Sequence, residues 1–170
     1  MDELLEEELQ DEPVAVDLDR LTRCALATIQ AARKHAEGLG DPFVGTDHLL
    51  IGLAAIECGA AYRILLSLNV DKDRVLTAMR FIRGVDRCNG DSASELTFSP
   101  RFVRVLESAA KDAAKRNHTE LGTLHLLSGL LREREGLAVF LLDSPGIGLA
   151  RAGTSIAAAH HASWNDDAST

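Results

Sequence analysis

Aromatic residues are scarce in this 170-residue chain: five Phe, one Tyr and one Trp make up 4% of it. A core without them must rest on Leu, Ile, Val and Ala. The excess of Ala and Leu over β-branched residues favours an all-helical domain. Long apolar runs are missing as well. The most apolar stretch, Phe43 to Tyr62, is interrupted by Asp47, His48 and Glu57, so no membrane span is expected. The basic start of a secretory signal is absent, since the N-terminus is acidic, and a cytosolic protein is the expectation. Cysteine is sparse: Cys24, Cys58 and Cys88 are spaced like neither a metal or redox pair nor a disulfide framework, and are expected to be reduced packing residues.

Clustered basic charge is also lacking. Residues 1–19 hold nine acids and no base, while the remainder holds 17 acids and 18 bases. A body so close to neutrality has no field for nucleic acid, whose binding draws on grouped Lys and Arg. At 170 residues the chain is one domain's length, enough to bury about 70% of its unfolded surface.

The residue sets of common catalytic sites are missing too. None of the four lysines follows a glycine, which a phosphate loop requires. Gly146-Ile147-Gly148 lacks the third glycine and the preceding strand of a dinucleotide fingerprint, so it reads as a turn. There is no H-E-x-x-H, no G-x-S-x-G, and no histidine at zinc spacing from a cysteine. His160-His161 reads as a solvent-exposed pair, and no cofactor or metal is expected. The chain is not expected to be an enzyme.

What is present is a repeat. Shifted by 77 residues, Gly45-Thr46-Asp47-His48-Leu49-Leu50-Ile51-Gly52-Leu53 falls on Gly122-Thr123-Leu124-His125-Leu126-Leu127-Ser128-Gly129-Leu130, with seven of nine positions identical. The register also places Ala32 on Ala109, Ala36 on Ala113, Gly59 on Gly136, Ala61 on Ala138 and Leu65 on Leu142. Each copy reads as four helices. The first is capped by Thr22, or by Ser99 with Pro100 at the first helical position, and a staple can close from Leu21 to Leu26 and from Phe98 to Val103. Gly38 to Gly40 and Asn117 end these helices. Thr46 and Thr123 are expected to cap the second helices, each behind a turn-permitting glycine. A short third helix ends at Asn69, or before Ser144-Pro145-Gly146. Asp71 caps a fourth, whose counterpart from Leu149 to His160 contains Gly153 and is expected to be the least stable.

His48 and His125 share one repeat position in a first helical turn, where a ring can hydrogen-bond a neighbouring segment and fix its path. The duplicated helix starts expose backbone N–H groups at Thr46 and Thr123. Asp47 could grip a guanidinium there, or simply complement the helix dipole.

The pattern from Leu21-Thr22 through Gly45 to Leu53, repeated from Phe98-Ser99-Pro100-Arg101 through Gly122 to Leu130, resembles the N-terminal Clp repeat domain of ClpA- and ClpC-type AAA+ unfoldases. The hallmark resembles F-T-P-R, then L-G-H, then G-T-E-H-L-L-G-L. The resemblance implies a pseudo-twofold bundle of two four-helix repeats, about eight helices in all. The boundaries are an acidic disordered tail over 1–19, repeat one over 21–84, a linker over 85–97, repeat two over 98–161 and a second disordered tail over 162–170. It further implies a non-catalytic module that binds adaptors, substrates or subunits of the Clp protease, with neither nucleic acid nor membrane as partner. The alternative is a decoy that sequesters ligands or damaged, arginine-phosphorylated proteins from the unfoldase. Some members bind phosphorylated arginine through the acid of G-T-E-H. Asp47 keeps an acid one methylene shorter and Leu124 removes it from the second copy, which leaves one weakened site. Phe98, Arg101 and Glu107 are the implied adaptor or ligand contacts, beside Thr46, Asp47 and Thr123. No ATPase module follows, so a stand-alone recognition domain is expected.

Overall fold

The computed structural model describes residues 18–83, 96–143 and 149–162. Most of the acidic tail, most of the linker, the Ser144-Pro145-Gly146 stop, the Gly146-Ile147-Gly148 turn and most of the C-terminal tail lie outside them. Eight α-helices stand among the described residues: α1 (Arg23–Leu39), α2 (Thr46–Ala55), α3 (Gly59–Ser67), α4 (Lys72–Arg83), α5 (Pro100–Lys115), α6 (Thr123–Arg132), α7 (Leu137–Leu142) and α8 (Leu149–Ala162). The 77-residue offset carries α1 to α4 onto α5 to α8.

The helix ends follow local chemistry. Thr22 Oγ1 accepts the Ala25 N–H at 3.2 Å, and Ser99 Oγ accepts the Phe102 N–H at 3.2 Å behind Pro100. Asp71 Oδ1 accepts the Arg74 N–H at 2.8 Å. Gly40, Asn69 and Asn117 take left-handed conformations with φ of 67°, 58° and 58°. Each is followed by an N–H that reaches back five residues: Asp41 to the Ala36 carbonyl, Val70 to Leu65 and His118 to Ala113. These turns fix Asp41 and His118 at matching places.

The paired helices of each repeat pack at backbone distance. A Cβ on Gly52 would lie 2.4 Å from the Thr28 carbonyl oxygen, and one on Gly129 would lie 2.5 Å from that of Val105. Only glycine permits this approach of α2 to α1 and of α6 to α5. Nine of the ten residues of α2 are buried, including Leu49, Leu50, Ile51 and Leu53, so its apolar character is that of a central helix. No single helix among the described residues is long and apolar enough to cross a membrane. The fourth helix of repeat two, α8, contributes Ala152 and Ile156 to the core and packs on α6 and α3.

The structure adds strands that sequence reading does not expect. β1 (Phe43–Val44) pairs in parallel with β2 (Thr97–Phe98), Val44 opposite Phe98. Leu21 forms an isolated parallel bridge with Leu121. These are one feature seen twice, since Leu21 corresponds to Phe98 and Val44 to Leu121 under the 77-residue shift. Two hydrogen bonds repeat it, Thr22 N–H to the Leu121 carbonyl at 3.1 Å and Ser99 N–H to that of Val44 at 3.0 Å. The segment that enters each repeat thus pairs with the other repeat. Two-residue strands are too short to show an alternating pattern.

Two local expectations need correction. The residues expected to receive the two staples are largely exposed, Leu26 at 42% and Val103 at 39%, and the Phe98 ring stacks on Phe102 with centroids 4.6 Å apart. Cys24 and Cys58, expected as reduced thiols, form a disulfide with Cα atoms 5.6 Å apart. The fold sets the first turn of α1 beside the residue preceding α3, a neighbourhood that a spacing of 34 residues does not announce.

Candidate functional site

The two helix starts are built alike, and their caps differ from expectation. Gly45 and Gly122 stand at the N-cap positions, so Thr46 and Thr123 are the first residues of α2 and α6. His48 and His125, third in each helix, turn Nδ1 back to accept the N–H of Gly45 at 2.9 Å and of Gly122 at 3.1 Å. An imidazole here does what Glu or Gln does at the third position of a capping box. The signal was G-T-x-H itself, with the histidine as the capping side chain in place of the threonine.

The threonines instead seat a helix of the opposite repeat. Thr123 Oγ1 accepts the Ala61 N–H of α3 at 3.4 Å. At the matching place Thr46 lies so close to the start of α7 that a Cβ on Gly136 would be 2.7 Å from its Oγ1. Both are buried, at 5% and 1% exposed. They hold helix starts together from inside the fold.

Around the first of these starts lies an ionic cluster. Because His48 Nδ1 accepts a backbone N–H, the neutral ring carries its proton on Nε2, which lies 2.9 Å from Asp41 Oδ2. Arg83, from the last turn of α4, places one terminal nitrogen on Asp41 Oδ2 and the other on Asp47 Oδ2. The His48 pKa is lowered, chiefly by burial, against the opposing pull of Asp47 and Asp41. His35 is also lowered by burial, with Lys72 and His48 adding to the effect.

The second repeat rebuilds this cluster from other residue types. Position for position, Asp41 becomes His118, Asp47 becomes Leu124, Arg83 becomes His160 and His35 becomes Asp112. His125 Nε2 lies 2.9 Å from His118 Nδ1 and, with its own Nδ1 engaged, is the donor. Asp112, 2% exposed, accepts from Arg116 Nε at 3.2 Å and from Arg132 at 3.0 Å, and His160 Nε2 stands 3.5 Å away. Burial pushes the His125 pKa down to about 3, with His160 adding to the effect. His118 is lowered by burial and then by Arg116. The expectation of a solvent-exposed His160 is corrected: its side chain is fully buried.

Asp112, His125 and His160 bring potential ligand atoms within 4.8 Å of one another, which invites a metal reading. The proton count opposes it. A cation on His125 Nε2 would force that ring's proton onto Nδ1, against the Gly122 N–H. Both Asp112 oxygens already face guanidinium groups. The group reads as an ionic and hydrogen-bonded network that joins α5, α6 and α8.

The remaining expected site residues lie along α5 and its entry. Phe98 pairs with Val44 and lies under the Arg33 guanidinium, 5.7 Å from ring centroid to Cζ. Arg101, half exposed, stands 3.8 Å from Glu135, just before the Gly136 that meets Thr46. Phe98, Arg101, Thr46 and Asp47 are therefore linked at one end of the domain. Thr123 stands apart from them, against Ala61 of α3. Glu107 is partly buried and lies further along α5. A small apolar pocket between α2, α4 and α7, lined by residues that include Leu50, Val75 and Leu142, holds about 80 Å3. That is far below the several hundred of an ordinary small-molecule site.

The doubled helix start, the crosswise strands and the close-packed glycines together form one pattern. The chain matches the Clp repeat (R) N-terminal domain family over residues 20–145 and again over 97–161. It belongs to that family. Among curated relatives, the chloroplastic chaperone protein ClpC2 of Oryza sativa subsp. japonica is 39% identical over 128 residues, covering 75% of this chain and 14% of that protein. A ClpA homolog, an ATP-dependent Clp protease ATP-binding subunit of Guillardia theta, is 36% identical over 138 residues, 81% of this chain and 17% of its own length. The chain thus spans about one sixth or less of these two relatives. Solved Clp N domains share the fold. That of ClpD from Arabidopsis thaliana superposes with a TM-score of 0.70 at 24% identity, covering 86% of this chain and 97% of that one. The N-domain of ClpV from Vibrio cholerae gives 0.64 at 20% identity, covering 89% of each.

Proposed function

We propose that this Clp repeat domain is a non-catalytic recognition module of the Clp protease system, one that binds adaptors, substrates or subunits of the Clp complex. The observation that carries this reading is the doubled, crosswise bundle with a polar cluster at each of two equivalent helix starts. Such a scaffold fixes side chains at its corners, and its small apolar pocket suits no ordinary substrate. The partner meets Phe98, Arg101 and Glu107 along α5, with Asp47 at the adjoining corner. Thr46 and Thr123 serve from within by seating α7 and α3.

The full chain, immobilised, is incubated with a ClpC-type unfoldase, its peptidase and an adaptor. Retention of one of these, reduced by Arg101→Ala with Glu107→Ala, is the expected result. Equal retention on a charge-matched helical protein overturns the proposal.

A further inference from the structure

We propose that Cys24 and Cys58 are a reversible dithiol–disulfide site, open to exchange with small thiols of the glutathione class, and that its bond latches the start of α3 to α1. The site uses none of the residues assigned to partner binding.

The 77-residue shift carries Cys24 onto Arg101 and Cys58 onto Glu135. The same two places are thus joined in both repeats, by a covalent bond in the first and by an ion pair of 3.8 Å in the second. The side chains of that pair are 50% and 78% exposed, and a pair so exposed adds little, so packing sets this corner in repeat two. Repeat one is packed in the same way. Gly52 meets the Thr28 carbonyl as Gly129 meets that of Val105, and Ala61 is as fully buried as Ala138. Packing alone therefore brings the two sulfurs together, and the fold survives when the bond is cut.

Both cysteines are half-buried and not sealed in the core. Cys24 is the second residue of α1, and Cys58 immediately precedes α3. Each sulfur lies at the positive end of a helix, which favours the thiolate that exchange requires. Reduction takes two steps. A glutathione thiolate attacks one sulfur, the Cys24–Cys58 bond breaks, and the other cysteine leaves as a thiolate that takes a proton from water. A second glutathione thiolate then attacks the mixed disulfide, releasing the remaining cysteine and glutathione disulfide. Two electrons pass from the two glutathiones to the pair, and oxidation by glutathione disulfide runs the same steps backwards.

The bond holds a turn. Residues 56–58 carry the chain through 90° between α2 and α3. Just beyond, Gly59 is left-handed with φ of 85°, and the Ala61 N–H reaches Thr123 Oγ1 at 3.4 Å, long for a hydrogen bond. The start of α3 thus leans on that bond to α6 and on the disulfide to α1. Cutting the disulfide loosens this turn, while Ile64 and Leu65 further along stay packed in the core.

The test uses the full chain carrying Cys88→Ser, so that a single pair can exchange. It is equilibrated in glutathione buffers of graded ratio, from the oxidised and from the reduced chain, and free thiols are trapped and counted by intact mass. The two starting points are expected to converge on one curve, with the pair reduced in about 10 mM reduced glutathione and a mixed disulfide seen on the way. Amide hydrogen exchange over residues 58–61 should quicken about tenfold on reduction, with residues 135–138 unchanged. Cys58→Ser, which cannot form the bond, should exchange at the fast rate in every buffer.

A bond that persists in that reduced buffer overturns the proposal, as does exchange over 58–61 that reduction leaves unchanged. Unfolding on reduction also overturns it, since the bond is then a requirement of the fold. So does a redox response that survives in Cys58→Ser. Should the Cys88→Ser chain fold poorly, the native chain decides, with its trapped cysteines located by peptide mapping.

Discussion

His118 holds in the second repeat the place that Asp41 holds in the first: each follows a left-handed helix stop, and each lies 2.9 Å from Nε2 of the histidine that caps the next helix. One position thus faces the same ring nitrogen with a carboxylate or with an imidazole, and the surrounding charges are redistributed to match.

The neutral, buried state of His125 makes stability depend on pH. Its pKa falls from an ordinary 6.5 to about 3 in the folded chain, so the unfolded chain binds the extra proton first. Its contribution is complete above about pH 6.5 and is lost as pH falls toward 3. At pH 5 this one group should cost about 2 kcal/mol relative to pH 7. Urea midpoints at the two pH values measure it. His125→Gln, which can still accept the Gly122 N–H, should flatten the difference.

Gly52 and Gly129 should tolerate no side chain. A methyl group at either meets a carbonyl oxygen of the partner helix well inside contact distance. Gly52→Ala and Gly129→Ala should each destabilise by about 1–3 kcal/mol despite the better helix propensity of alanine. Gly153→Ala, where a Cβ meets nothing within 4 Å, should be neutral or stabilising, and thermal unfolding compares the three.

The disulfide between Cys24 and Cys58 closes a loop with a separation of 34 residues. Loop-closure entropy gives it about 3–4 kcal/mol. Denaturation with and without a thiol reductant, and of Cys58→Ser, should show that loss. A chain with equal midpoints in both conditions would place the stability elsewhere.

Asp112 should matter far more than the charges near it. It is buried and shared by two partly exposed arginines beside His160, so Asp112→Ala removes the acceptor that both use and should cost about 1.5–3 kcal/mol. Arg101→Ala, at a half-exposed pair with Glu135, should change stability by less than about 0.5 kcal/mol. Chemical denaturation of both variants checks the contrast.

Much of the fold was legible because it is local and written twice. Thr22, Ser99 and Asp71 cap where their side chains reach nearby amides, and Gly40, Asn69 and Asn117 stop helices through their own backbone freedom. The glycines at 52 and 129 stood out only as repeated letters; their purpose is distant in sequence, at Thr28 and Val105. The clusters were less legible for the same reason. Asp47 was visible as a lone acid, but its partner Arg83 lies 36 residues away, and Asp112 meets His160 across 48 positions through tertiary packing alone. The caps at Gly45 and Gly122 escape a reading by residue type, because threonine is a common cap and imidazole an uncommon third-position acceptor.

Leu21 bridges to Leu121 and Phe98 pairs with Val44, so each half lends its first extended residues to close the other. A duplication wired in this crossed manner resembles two hands clasped more than two beads on a thread. Neither half could be trimmed away or exchanged for a foreign copy without unlatching its twin, which ties the fate of both polar clusters to a single act of folding.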